Sequence, residues 1–209
     1  MQPNPLEKQG ANHLPDGAGG WLHRAYAFPA RGHIAILALV VFLIFSFVLF
    51  PTMNLMYRDV NAPTVVDLQL AFTPDRFRET LRQWSEAYGN AIETFKLELI
   101  VLDYVFPLVY ATMLGFGFAW ARDSRSPTRW ETVFFAMPFA AGLFDWLENS
   151  LHLRLLANMH RAADVEVAEF APALVLGASA FAVAKIVLLV LSALGVLWCL
   201  TARCRRAIE

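Results

Sequence analysis

Four long apolar stretches divide the chain; charge enters three of them and interrupts the third most sharply. The first is unbroken over residues 34–50 except for Ser46, and by Met56 it reaches the roughly 20 residues that cross a bilayer. PTMNLMY follows instead of a small-x-small cleavage site, so a retained span is expected, not a cleaved leader. Further apolar stretches give spans at about 91–121, 131–153 and 170–202. The fold expected is therefore an all-α integral membrane protein, a four-transmembrane-helix bundle in which residues 33–202 form the membrane domain.

Between the first two spans, residues 57–90 turn polar and carry two shorter patterns. Val66, Leu68, Leu70 and Phe72 alternate with Asp67, Gln69 and Ala71, which is the period of an extended segment. Thr73, Pro74 and Asp75 then supply a cap, a first-turn proline and an acid at the positive end of a helix dipole. The helix they begin puts Phe77, Leu81, Trp84 and Tyr88 on one face and Arg76, Arg78, Glu79, Arg82 and Glu86 on the other. It is expected to be an amphipathic extracytoplasmic helix that lies on the membrane surface or packs on the spans as a connector. Gly89 can end it, and Asn90 with Glu93 resembles a capping box that opens the second span.

The interrupted stretch is residues 140–154, AAGLFDWLENSLHLR. Asp145, Glu148 and His152 fall at i, i+3 and i+7 and share a helical face. Charges in hydrocarbon cost about 2.5 to 3.5 kcal/mol each on insertion scales, so this face should look into a bundle or a wet cavity. Pro138 and Ala141 continue the face. Asp103, Pro107 and Tyr110 form a matching face on span two, and Ala178, Ala182, Lys185 and Ser192 form one on span four. Ala111 and Gly115, four apart, permit close helix approach.

Basic residues set an orientation and a depth scale. Arg24 and Arg31 precede span one, Arg122, Arg125 and Arg129 separate spans two and three, and Arg203, Arg205 and Arg206 follow span four. The positive-inside rule then places both termini in the cytoplasm, with 1–32 a flexible tail carrying the WLHRAYAF interfacial anchor and 203–209 a basic tail. Asp103 lies 19 residues from Arg122, Glu148 lies 19 from Arg129, and Lys185 lies 18 from Arg203. At 1.5 Å per residue all three sit about 27 to 29 Å from the inner boundary, and Asp145 sits at about 24 Å. Lys185 is expected to pair with Asp103 or Glu148.

Composition narrows the function classes. A hydrophobic content of 57% exceeds that of ordinary soluble domains, and a net charge of −1 without a basic face argues against nucleic acid as a partner. Cys199 and Cys204 are too few and too close for a disulfide framework or zinc site and read as free thiols. His160 and Arg161 read as solvated, and Phe134, Phe135, Phe139 and Phe144 read as packing. No glycine-rich phosphate loop, nucleophile elbow or CxxC occurs, so no cofactor and no reaction is named. Asp103, Asp145, Glu148 and His152 could offer a metal an oxygen-rich site, but they form no familiar ligand signature.

The candidate site is thus Asp103, Tyr104, Tyr110, Asp145, Glu148, Asn149, His152 and Lys185, a pocket between spans two, three and four that binds a small amphiphile or lipid-derived ligand. A carboxylate there could serve as acid or base, or as part of a proton relay. Two alternatives stand beside it: a structural or assembly subunit whose charges fix a membrane-protein partner or a homo-oligomer, and a small proton-coupled transporter. The expected location is the plasma (inner) membrane, with the lipid bilayer itself the surrounding partner. The plan is similar in architecture to small sterol-isomerase-like and lipid-modifying membrane proteins, a likeness that assigns no residue a role.

Overall fold

Helices that are apolar on every side cannot be accommodated in water, and three of this kind organise the protein. The computed structural model describes residues 32–49, 63–87, 91–122, 129–157, 159 and 162–208, and every regular element among them is helical. The N-terminal tail with its anchor, the continuation of span one to Met56, Tyr88, the Gly89 and Asn90 caps, Arg125, His160 and Arg161 lie outside the described residues. In chain order the helices are α1 (Gly32–Ile44), which continues as a π-helical turn (Phe45–Leu49), α2 (Val65–Gln69) and α3 (Pro74–Ala87). Next come α4 (Ala91–Glu98), which runs into a second π-helical turn (Leu99–Asp103), α5 (Phe106–Arg122), α6 (Arg129–Leu156), α7 (Ala162–Val167) and α8 (Pro172–Ile208).

Gly32–Leu49, Ile92–Arg122 and Pro172–Arg205 are long and apolar enough to cross a membrane. The remaining long helix, α6, packs along both α5 and α8. Close approach of α5 and α6 rests on small residues: a side chain added at Gly115 would meet the Phe139 ring at 2.7 Å, and Gly142 lies against Pro107. α1 and its π-helical turn bury only Ala35 and leave Leu37 and Phe47 outward, as a helix facing lipid does.

The helix ends sort into two groups. At one end Gly32 abuts Trp120, the Arg203 guanidinium stacks over the Trp120 ring at 4.9 Å and donates to its carbonyl, and Arg122 pairs with Glu131. The start of α1, the end of α5, the start of α6 and the end of α8 therefore share one basic end. At the other end α2, α3, α4 and α7 form a cap. Phe77, Leu81 and Trp84 of α3 are buried in one core with Leu68, Phe95, Leu99, Leu156 and Phe170. The amphipathic helix thus packs on the spans, as its apolar face requires. Thr73 caps it, its hydroxyl accepting from the Arg76 N–H at 3.3 Å.

Residues 65–69 correct the sequence reading, because the expected extended segment is a short helix. Thr64 and Asp67 form a reciprocal capping box, with the Asp67 carboxylate accepting from the Thr64 N–H at 2.7 Å and the Thr64 hydroxyl accepting from the Asp67 N–H at 3.3 Å. The Thr64 hydroxyl and the Thr64 N–H, each donating to Asp67 Oδ2 at 2.7 Å, hold the Asp67 carboxyl below its ordinary range. Alternation over seven residues misleads here because only Leu68 and Ala71 are fully buried. After α2 the chain turns sharply at Phe72, which takes a left-handed φ of 53°. Its N–H is held by the Ser179 hydroxyl of α8 at 3.0 Å, which fastens the cap to the bundle.

Trp84 is 1% exposed and its indole N–H donates to the Pro63 carbonyl at 2.6 Å. Trp84→Ala is expected to cost about 3 to 5 kcal/mol, measured as thermal or denaturant stability of the purified protein. Val167→Ala, at an 82% exposed position, should leave stability within about 0.5 kcal/mol of the parent.

Candidate functional site

The site begins with a break in the helix that carries Asp103. Pro107 has no N–H, so the Asp103 carbonyl four residues earlier loses its helical donor. The π-helical turn ends at Asp103, and the Leu108 N–H bonds to Val105, which frees the Tyr104 carbonyl as well. Two side chains of α6 take these places: Asn149 donates to the Asp103 carbonyl at 3.0 Å, and the Trp146 indole donates to the Tyr104 carbonyl at 2.9 Å. Irregular backbone at membrane depth is sustained by a neighbouring helix in this way. The Tyr104 hydroxyl meets Ser150 at 2.8 Å, which adds a third link between the segment and α6.

Around this break α6 and α8 present charge. Asp145 and Glu148 are one turn apart on the buried face of α6, and Lys185 of α8 reaches both. Its amine lies 2.9 Å from Asp145 Oδ1 and 2.6 Å from Glu148 Oε2. Tyr110 donates to the other Asp145 oxygen at 3.0 Å. Asp145 is thus bound from α5 and α8 together. Glu148 is completely buried, and Gln69 of α2 faces its carboxylate from the cap.

His152 closes the row one turn further along. It is 1% exposed, its ring stacked on Phe77 at 6.0 Å and edge-on to Phe95 at 6.3 Å. Nδ1 lies 3.9 Å from Glu148 Oε1, beyond hydrogen-bond distance. Among the described residues no group of three or more His, Cys, Asp or Glu side chains is placed to hold a metal ion.

A cavity of about 240 Å³ opens beside the cluster. Glu98, Asp103, Asp145 and Lys185 supply its polar wall, while Phe106, Tyr110 and Leu189 supply much of the apolar one. Val65 and Gln69 bound it from the cap, so the soluble-looking segment and the spans build the site jointly. A larger groove of about 710 Å³ lies between α5, α6 and α8 at the basic end, lined by Trp130, Phe134, Leu194 and Trp198. None of these charges lines it; its charged residues are the paired Arg122 and Glu131.

The structure brings Tyr110, Asp145, Glu148 and Lys185 into direct contact, with Asn149 and His152 beside them and Asp103 in the cavity wall. Tyr104 stands apart, tied to Ser150. One expected pair is corrected: Lys185 contacts Asp145 and Glu148, and Asp103 meets α6 through its backbone. Depth counted along an ideal helix does not survive the π turn and the proline, which rotate Asp103 away from the amine. Glu98 and Gln69 were missed as wall residues. Glu98 had a signal, an acid at the start of an apolar span, whereas nothing local in the polar segment marks Gln69.

Compared with known proteins, the chain matches no family model, no curated relative and no solved structure.

Breaking a buried ion pair by removing one partner costs about 3 to 5 kcal/mol in soluble cores, and Lys185→Met should lose a sizeable part of that in detergent-purified protein. A double-mutant cycle should show coupling to Asp145→Asn and to Glu148→Gln, with part of the loss recovered, while Asp103→Asn adds independently. Recovery with Asp103→Asn alone would contradict the geometry. Asn149→Leu, which strips the Asp103 carbonyl of its donor, is expected to cost about 1 to 3 kcal/mol in the same assay.

Proposed function

We propose that this chain is a four-span plasma-membrane protein, with both termini cytoplasmic, whose pocket between α5, α6, α8 and the cap binds a small amphiphile or lipid-derived ligand. The observation that carries this reading is the cavity beside the ion cluster, lined by charged and by apolar side chains together. Sites of that make-up bury the apolar part of a ligand and orient it through a few polar groups. The second π-helical turn adds support, because such turns concentrate at functional positions.

The fourth crossing is assigned to α6. Its 28 residues extend about 42 Å at 1.5 Å per residue, more than a hydrocarbon core of about 30 Å. Its acids face inward onto α5 and α8, so the lipid side stays apolar through Leu143 and Leu147. The shared basic end of the helices is the cytoplasmic one by the positive-inside rule. An assembly role is the second reading, supported by the way Lys185 joins two helices through hydrogen-bonded charge.

Reporter fusions after residues 28 and 124 and at the C-terminus should read cytoplasmic, and one near residue 90 external. An external signal after residue 124 would contradict the topology. Purification in mild detergent followed by mass spectrometry should find a small amphiphile or lipid travelling with the protein and lost on Asp145→Asn. A stoichiometric protein companion in its place would favour the assembly reading.

A further inference from the structure

The charges around the cavity do not balance. Lys185 contacts Asp145 and Glu148, yet Glu98 and Asp103 line the same cavity as the amine, so four carboxyl groups gather around one amine. Glu98 is the sharpest case. It is 3% exposed, its Oε2 has no hydrogen-bond partner among the described residues, and it lines the cavity. Burying a carboxyl oxygen without a partner is costly unless something that enters the cavity supplies one.

The aromatic part of the lining limits what that guest can be. Phe106 and Tyr110 lie edge to face with ring centroids 5.3 Å apart, and both border the cavity. Aromatic rings and carboxylates in one cavity are a favourable setting for an organic cation, which gains from ion pairing and from the ring quadrupoles together. At about 30 Å³ per water, 240 Å³ is far more room than a bare metal ion needs and fits a group of several heavy atoms. Leu189 and Phe106 provide an apolar surface for a short chain.

Resting on the amphiphile-binding reading above, we infer that the ligand is a protonated amine: its ammonium group bonds to Glu98, with Asp103 as the neighbouring acceptor, and its apolar chain lies along Phe106 and Leu189. Lys185 is then not part of the recognition. It is engaged by Asp145 and Glu148 and leaves Glu98 and Asp103 to the guest.

The test uses the full chain in phosphatidylcholine nanodiscs at neutral pH, with hexylammonium, hexanol and hexanoate as probes of equal chain length. Binding is read by calorimetry against empty nanodiscs and by the shift in thermal stability. Hexylammonium should bind about tenfold or more tightly than the other two, since a charge-assisted hydrogen bond is worth about 1.5 to 3 kcal/mol. Glu98→Gln should remove most of that preference and Asp103→Asn part of it, with the helical circular dichroism of both variants unchanged. Equal binding of hexanol and hexylammonium would overturn the cation assignment and leave the amphiphile pocket standing. An ammonium preference that survives both substitutions would overturn this site for it. If none of the three binds, the pocket reading fails along with the inference.

Discussion

Lys185 reaches two acids one helical turn apart on α6, and the rest of the membrane region is arranged around that contact. Amine and carboxylates alike would be costly to expose to lipid, so the three must face one another. That requirement fixes the rotation of α6 and α8: the faces Pro138, Ala141, Asp145, Glu148, His152 and Ala178, Ala182, Lys185, Ser192 are all buried. α5 is drawn in by Tyr110, whose hydroxyl completes the Asp145 shell. The pairing gives specificity of helix rotation more than bulk stability, because the desolvation of both partners offsets much of the attraction.

The second constraint is the broken helix between α4 and α5. Pro107 frees a carbonyl, and α6 answers with Asn149 from the same turn that carries Glu148. Backbone repair and ion pairing are therefore placed by one stretch of α6, and a shift of that stretch would disturb both. The break also separates Asp103 from Lys185. It leaves a carboxyl in the cavity wall, and a cap anchored at Phe72 to Ser179 roofs the space over.

Much of this was legible in the residues, for identifiable reasons. Long apolar runs and inward-facing acids have few alternatives in a bilayer, so the faces of α6 and α8 followed from helical spacing alone. The helix beginning at Pro74 was legible because Thr73 and the Phe77, Leu81, Trp84 stripe agree. Residues 65–69 were misread because a segment of one turn is too short for its period to discriminate, and the Thr64 to Asp67 cap was the better signal. The partner of Lys185 was half right. Depth points to Asp103 and Glu148 alike, and only Glu148 meets the amine, since a rise of about 1.5 Å per residue presumes an unbroken helix. Gln69, Phe77 and Phe95 meet the site through contacts far apart in sequence, which no local pattern records.

The claim at the centre is that one amine bridges Asp145 and Glu148 inside the bundle. Solid-state NMR in lipid bilayers, with ¹⁵N-labelled lysine and ¹³C-labelled aspartate and glutamate, measures that contact directly. A bridging amine should give through-space transfer from Lys185 Nζ to Asp145 Cγ and Glu148 Cδ, each peak assigned by its loss in Asp145→Asn or Glu148→Gln. A spectrum in which Lys185 transfers chiefly to Asp103 Cγ, or to no carboxyl carbon, would contradict it.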